Sequence, residues 1–229
     1  MTTNSQQSAG NIEKGPSRFW GFATFLMVAL TACFLVQHYV VVVKEKPYDV
    51  YLALSDYGMK TGQLWQVVTC HLLHLNVWHL LADLLGLWFL GRAVEGRLGS
   101  RRFLFLYATA AVAGAVLQGI VALGIVWLPE SVESVAAPLR DRFGGPVVGA
   151  SVGLCGVLAG FLLGGPRARK GLFWVALGLA CLLVLLPTDP NLAHIAHLGG
   201  LLTGALLMRR WTTMAGAACQ PMPAANPSR

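Results

Sequence analysis

The sequence predicts an all-α membrane protein built as a bundle of six transmembrane helices. Hydrophobic residues make up 55% of the 229-residue chain and charged residues only 12%, a composition typical of proteins that face lipid. Several apolar stretches approach the roughly 17–25 residues that cross the hydrocarbon of a bilayer. The basic residues lie in short segments between these stretches, so the net charge of +7 indicates membrane topology and not nucleic acid binding.

The first elements are a polar tail and a long apolar helix. Residues 1–18 show no apolar period and are expected to be a disordered cytoplasmic tail. Residues 19–43 are apolar apart from Gln37 and His38 and form the first predicted span. This stretch exceeds the roughly 7–15 apolar residues of a signal peptide core, and no small-residue cleavage site follows it.

Further spans are predicted at residues 70–90, 103–128, 148–164, 171–186 and 192–208. Gly165-Pro166, Pro187 and Pro190 separate the last three spans. The membrane domain is therefore expected to cover residues 19–211, and residues 212–229 are expected to form a second disordered cytoplasmic tail.

The basic residues also predict the orientation. Of the 17 Lys and Arg residues, 12 fall on the side of the two termini and 5 on the other side. The positive-inside rule then places both termini in the cytoplasm, and a bacterial inner membrane is the simplest setting. The first outer loop, residues 44–69, mixes aromatic and charged residues and is expected to lie partly inserted in the interface.

Two polar residues in the predicted spans suggest chemistry. Ser151 stands at the head of the fourth span and His197 lies in the sixth, and polar groups at membrane depth are candidates for function. Because the second, fourth and sixth helices start from the same side, residues near their starts share a similar depth. The second-span residues His79 and Asp83, four positions apart, share one helix face but are predicted to lie roughly 14–20 Å into their helix.

Glycine spacing predicts how the serine and the histidine meet. Gly149, Gly153 and Gly156 surround Ser151, and Gly200 and Gly204 follow His197. Small residues at this spacing allow membrane helices to pack closely, so the fourth and sixth helices are expected to abut. Ser151 would then be either a nucleophile paired with His197 as base, or merely a small residue that permits packing.

Five segments of the chain form a further pattern through their order and spacing. They are Gly62-Gln63-Leu64-Trp65, the set His74, His79 and Asp83, the turn Ala93-Val94-Glu95 with Arg97-Leu98-Gly99-Ser100, the set Gly149, Ser151, Gly153 and Gly156, and the set His197, Gly200 and Gly204. On these residues the chain resembles the rhomboid family of intramembrane serine proteases over nearly its whole membrane region.

The resemblance implies a fold, a reaction and a set of site residues. It implies a six-helix rhomboid-like bundle in which Ser151 is the nucleophile and His197 is the base. The oxyanion would be held by His79, Asp83 and the Ser151 backbone N–H, and no metal or other cofactor would take part. The substrates would be single-span transmembrane proteins, cleaved within or near the bilayer.

Three positions depart from the family pattern. Val152 replaces the usual glycine after the serine, Gln66 replaces an arginine after the loop tryptophan, and Asp83 replaces the oxyanion asparagine. A neutral Asp83 would still donate a hydrogen bond to the oxyanion, whereas an ionised Asp83 would orient or charge His79 instead.

Two other classes of protein stay open at this stage. The departures favour a proteolytically inactive relative that binds or handles membrane-protein clients. A metal or haem protein is the third class, since His71/His74 and His194/His197 each have two-residue spacers. The 5 cysteines are odd in number and lack metal-ligand spacing.

Overall fold

The computed structural model describes residues 21–44, 49–143, 145–185 and 193–218. Within these residues the chain is helical, and the β-structure is confined to one isolated bridge between Leu54 and Val147. The helices are α1 (Phe22–Lys44), α2 (Asp49–Leu52), α3 (Asp56–Lys60), α4 (Gln66–Thr69), α5 (Val77–Gly86), α6 (Arg92–Leu98), α7 (Ser100–Val126), α8 (Glu133–Phe143), α9 (Ser151–Leu163), α10 (Arg167–Leu185) and α11 (His194–Ala218).

Three of the described helices are long and apolar enough to cross a membrane. They are Phe22–Val41, Val77–Leu98 and Ser100–Ile125, and Ser151–Leu163 is a shorter apolar helix. The second of them joins α5 to α6 through a π-helical segment, Leu87–Gly91. The predicted all-α class is confirmed for the described residues. The presence of six transmembrane helices stays a prediction.

Two ends of predicted segments differ from the structure or lie beyond it. Helix α11 continues to Ala218, past the domain end predicted at residue 211. The predicted tail 1–18 and residues 219–229 lie outside the described residues.

The second spanning helix begins later than the sequence predicted. Cys70–Leu72 forms a separate 3₁₀ turn, and α5 starts at Val77. Asn76 causes this start, because its backbone is extended and its side-chain oxygen accepts the His79 N–H at 3.0 Å. The predicted depth of roughly 14–20 Å for His79 and Asp83 is therefore too large, since His79 lies in the first turn of its helix.

Helix α9 lies at the centre of the described bundle and packs through its glycines. A β-carbon on Gly153 would meet the Tyr107 ring at 2.6 Å, so α7 approaches one side of α9. A β-carbon on Gly204 would lie 2.7 Å from the Gly156 Cα, so the backbones of α9 and α11 nearly touch. The predicted close packing of the fourth and sixth helices is confirmed, and it fixes the distance between their side chains.

The first outer loop folds onto the bundle through short helices. Leu54 and Val147 exchange backbone hydrogen bonds of 3.1 and 2.8 Å, which tie this loop to the segment before α9. Gln66 is fully buried, and its Oε1 accepts the Ser55 N–H at 3.1 Å while its Nε2 donates to Gln63 Oε1 at 3.0 Å. A buried amide thus organises the loop at the position where the family usually has arginine.

Candidate active site

The segment before α9 presents Ser151 through a glycine turn. Gly149 has a φ of +123°, a conformation that favours glycine. Its N–H donates to the Cys70 carbonyl at 3.0 Å, and its carbonyl oxygen lies 3.2 Å from His71 Nδ1. The N–H and the carbonyl group of Gly149 both contact residues of the 3₁₀ turn, Cys70 and His71. These contacts fix the position at which Ser151 starts its helix.

His71 is a buried structural group in this turn. Burial lowers the pKa of His71, so its ring is neutral. Because a carbonyl oxygen only accepts, Nδ1 must carry the hydrogen. Among the described residues the buried Nε2 has no hydrogen-bond partner. His71 therefore holds the Gly149 carbonyl.

The structure brings the two predicted catalytic side chains into contact. Ser151 Oγ lies 2.6 Å from His197 Nε2. Each residue belongs to the first turn of its helix, since α9 begins at Ser151 and α11 begins at His194. With the ring hydrogen on Nδ1, the hydroxyl donates to Nε2, which is the arrangement in which an imidazole can accept the serine proton.

Gln118 fixes the start of α11 from the side of α7. This buried side chain accepts the Ala196 N–H at 3.3 Å and donates to the Phe143 carbonyl at 2.9 Å. It therefore satisfies a backbone N–H in the first helical turn, where helices leave such groups unpaired. The sequence motifs did not include Gln118, although a glutamine inside an apolar helix is itself a signal.

His79 faces the turn that leads into Ser151. A β-carbon on Gly149 would lie 2.6 Å from His79 Nε2 and 3.5 Å from Ser151 Oγ. The His79 side chain keeps 23% of its surface exposed, so the ring borders both the serine and the open space beside it. His79 thus lies against the glycine turn that precedes Ser151.

Asp83 belongs to the second spanning helix, and its carboxyl group lies between the rings of His74 and His79. Its Oδ2 is 3.1 Å from His74 Nε2 and 3.7 Å from His79 Nε2. His74 is fully buried, and Gln37 holds its backbone with hydrogen bonds of 2.6 and 3.1 Å. The sequence marked His74 only as part of the second-span pattern and as a possible metal ligand, and it gave no role to Gln37. Together these two residues place an imidazole nitrogen against the carboxyl group of Asp83.

The histidine pairs considered as metal ligands have other partners. His71 faces the Gly149 carbonyl, His74 faces Asp83 and His197 faces Ser151. Within the described residues no three His, Cys, Asp or Glu side chains cluster as metal ligands would. These contacts favour a site made of a serine, histidines and a carboxyl group.

A central glycine-packed helix with a serine at its head and a histidine from the last helix is the arrangement expected of a rhomboid protein. A model of the rhomboid domain matches residues 61–212, which is more than half of the chain. The protein therefore belongs to the rhomboid family, and its apolar helices make it an integral membrane protein.

The chain is also similar to bacterial proteins named as rhomboid proteases. It is 28% identical over 149 residues to rhomboid protease GluP of Bacillus subtilis, which covers 62% of this chain and 25% of that protein. It is 26% identical over 185 residues to rhomboid protease GlpG of Salmonella choleraesuis, which covers 77% of this chain and 59% of that protein. The chain thus matches about a quarter of the length of GluP and about three fifths of that of GlpG.

Proposed function

We propose that this protein is an intramembrane serine endopeptidase that uses Ser151 as nucleophile and His197 as base. The observation that carries the proposal is the 2.6 Å contact between Ser151 Oγ and His197 Nε2 at the head of a buried helix. Membership of the rhomboid family and similarity to proteins named rhomboid proteases support the same reaction.

The reaction proceeds in two steps. Ser151 Oγ attacks the carbonyl carbon of the peptide bond while His197 Nε2 accepts the hydroxyl proton. His197 then gives this proton to the leaving amine, and the acyl group remains on the serine. In the second step water attacks the ester, His197 accepts a proton from the water and returns it to Ser151, and the acid product leaves.

The oxyanion would be held by the Ser151 backbone N–H and by His79. Ser151 is the first residue of α9, so its N–H points out of the helix and the positive end of the helix dipole lies at the nucleophile. The His79 ring borders the same space. Loss of one such donor typically costs about 10²–10³ in rate.

Asp83 is better placed to act on the two histidines than on the oxyanion. Its Oδ2 lies 3.1 Å from His74 Nε2 and 3.7 Å from His79 Nε2, and a buried carboxyl group needs polar partners of this kind. Of the two roles left open by the sequence, these distances support the one in which Asp83 orients His79. Direct donation by a neutral Asp83 stays a prediction.

The other two departures from the family pattern have local explanations. Val152 is buried, and a β-carbon on Gly114 of α7 would meet its Cγ1 at 2.5 Å, so glycine on the neighbouring helix leaves room for the valine. Gln66 holds the first loop as an amide, because its Oε1 accepts the Ser55 N–H and its Nε2 donates to Gln63 Oε1; an arginine, which has no acceptor, could not make the first contact. Neither departure disturbs the contact between Ser151 and His197.

The setting of the enzyme is part of the proposal. Six spans would place both termini in the cytoplasm of a bacterial cell, and the site would open toward the outer face of the inner membrane. Substrates would be single-span membrane proteins whose helices unwind near their outer ends. The mechanism requires no cofactor and no nucleic acid.

Ser151→Ala tests the proposal. Cleavage of a transmembrane reporter in liposomes should fall to background, and labelling by a serine-directed fluorophosphonate should be lost. Ser100→Ala is the matched control, because Ser100 is also the first residue of a helix but belongs to α7. Unchanged cleavage by Ser151→Ala would overturn the nucleophile. An unlabelled wild-type protein that still binds membrane proteins would instead favour the proteolytically inactive relative.

A further inference from the structure

A groove runs between α10 and α11 at the end of the molecule opposite the serine. Helix α9 leads from Ser151 to Leu163, and Leu163 lies at the groove. The groove encloses about 680 Å³. Its lining residues are Leu163, Lys170, Phe173, Trp174, Leu177, Leu202, Ala205, Leu206, Met208, Arg209 and Thr212.

The groove walls are apolar and reach the surface of the described bundle. Trp174 and Leu206 are exposed, and Phe173 is buried beneath them. From Lys170 to Leu177 the α10 wall rises about 10 Å at 1.5 Å per residue.

Each of the two helices that form this groove contributes one basic side chain to its lining. Lys170 lies in the first turns of α10, and Arg209 lies on α11. Both are exposed, and among the described residues neither lies within salt-bridge distance of a carboxylate. In contrast, the guanidinium groups of Arg97 and Arg169 stack on the Phe161 ring at 5.1 and 4.5 Å.

We propose that this groove binds an anionic phospholipid. Lys170 and Arg209 contact the phosphate from two sides, and one acyl chain lies along the apolar wall formed by Trp174, Leu177 and Leu202. Basic pockets between membrane helices recognise lipid headgroups through the same combination of charge and apolar surface. The site is distant from Ser151, and the proposal does not depend on protease activity.

Trp174 allows the site to be tested directly, because it lies in the groove. The full chain is reconstituted in phosphatidylcholine vesicles that contain increasing fractions of brominated phosphatidylglycerol or brominated phosphatidylcholine. Subtraction of the Trp174→Phe variant isolates the quenching of Trp174. Phosphatidylglycerol should bind about 30-fold more strongly than phosphatidylcholine, since each basic residue near the surface contributes about fivefold.

In the double variant Lys170→Ala with Arg209→Ala, the ratio of phosphatidylglycerol to phosphatidylcholine binding should fall close to one. Arg101→Ala with Arg210→Ala is the matched control, because it removes the same charge at residues that do not line the groove, and it should retain the preference. Continued quenching by brominated phosphatidylcholine shows that each variant is folded with Trp174 in lipid.

Three results would overturn the proposal. They are equal quenching by the two lipids in the wild-type protein, an unchanged preference in the Lys170/Arg209 double variant, and an equal loss of preference in the control. The last result would mean that general surface charge attracts the lipid. Displacement of brominated phosphatidylglycerol by millimolar inorganic phosphate would also overturn it, since the acyl chain would then contribute nothing.

Discussion

Gly204→Ala should separate the proposed catalytic pair, Ser151 and His197, without unfolding the protein. The added β-carbon would lie 2.7 Å from the Gly156 Cα, whereas carbon atoms in contact are about 3.5–4.0 Å apart. The neighbouring atoms belong to the backbone of α9, so no side-chain rotation can relieve the overlap. The helices α9 and α11 must therefore move apart by about 1 Å.

This displacement is large compared with the tolerance of the site. Ser151 Oγ and His197 Nε2 are 2.6 Å apart, and an added 1 Å takes the pair beyond hydrogen-bond distance. A misplacement of about 1 Å can cost 10²-fold in rate. Overpacking costs about 1–3 kcal/mol of stability, but alanine regains up to about 1 kcal/mol of helix propensity.

The assay measures reporter cleavage in liposomes beside thermal unfolding of the same preparation. We expect about a 100-fold slower cleavage with a folded protein. Gly178→Ala is the matched control, because this exposed helical glycine has no neighbouring atoms within 4 Å of an added β-carbon. Cleavage by Gly204→Ala within about twofold of the control would refute the reasoning, and so would complete loss of the folded protein.

Two other substitutions test the site and the first loop. Gly149→Ala should slow cleavage by about 10²–10³, because its β-carbon would displace the His79 ring from the oxyanion position. Gly62→Ala is the control, because Gly62 has a φ of +78° and open space around it, so that alanine there causes backbone strain without a steric clash. If both substitutions slowed cleavage equally, a role for His79 would be contradicted. Gln66→Ala should destabilise the first loop by about 1–3 kcal/mol, because the Ser55 N–H loses its acceptor. Hydrogen exchange should show faster exchange at Ser55, and unchanged protection there would count against the role assigned to Gln66.

Much of the candidate site could be predicted from the sequence because its signals are local. The spacing of Gly200 and Gly204 after His197 is a property of one helix face, and it predicted the contact with the glycine-rich helix that carries Ser151. The same reasoning failed for His79, because hydropathy does not mark where an apolar segment changes from a turn to a helix. Asn76 decides that start through a single capping hydrogen bond.

The sequence did not predict which residues support the site, because their partners are distant in the chain. Gln118 contacts the backbone of Ala196, and Gln37 contacts the backbone of His74. Each glutamine is visible in the sequence as a polar residue in an apolar helix, but its partner is defined only when two helices have packed.

The sequence by itself determined the membrane class, the family and the positions of the serine and histidine motifs, since composition and periodic spacing are properties of a single segment. Only the tertiary structure decided the partner of Asp83 and the groove that carries Lys170 and Arg209. These features depend on distances between separate helices, which are set by side-chain packing and by buried hydrogen bonds across the bundle.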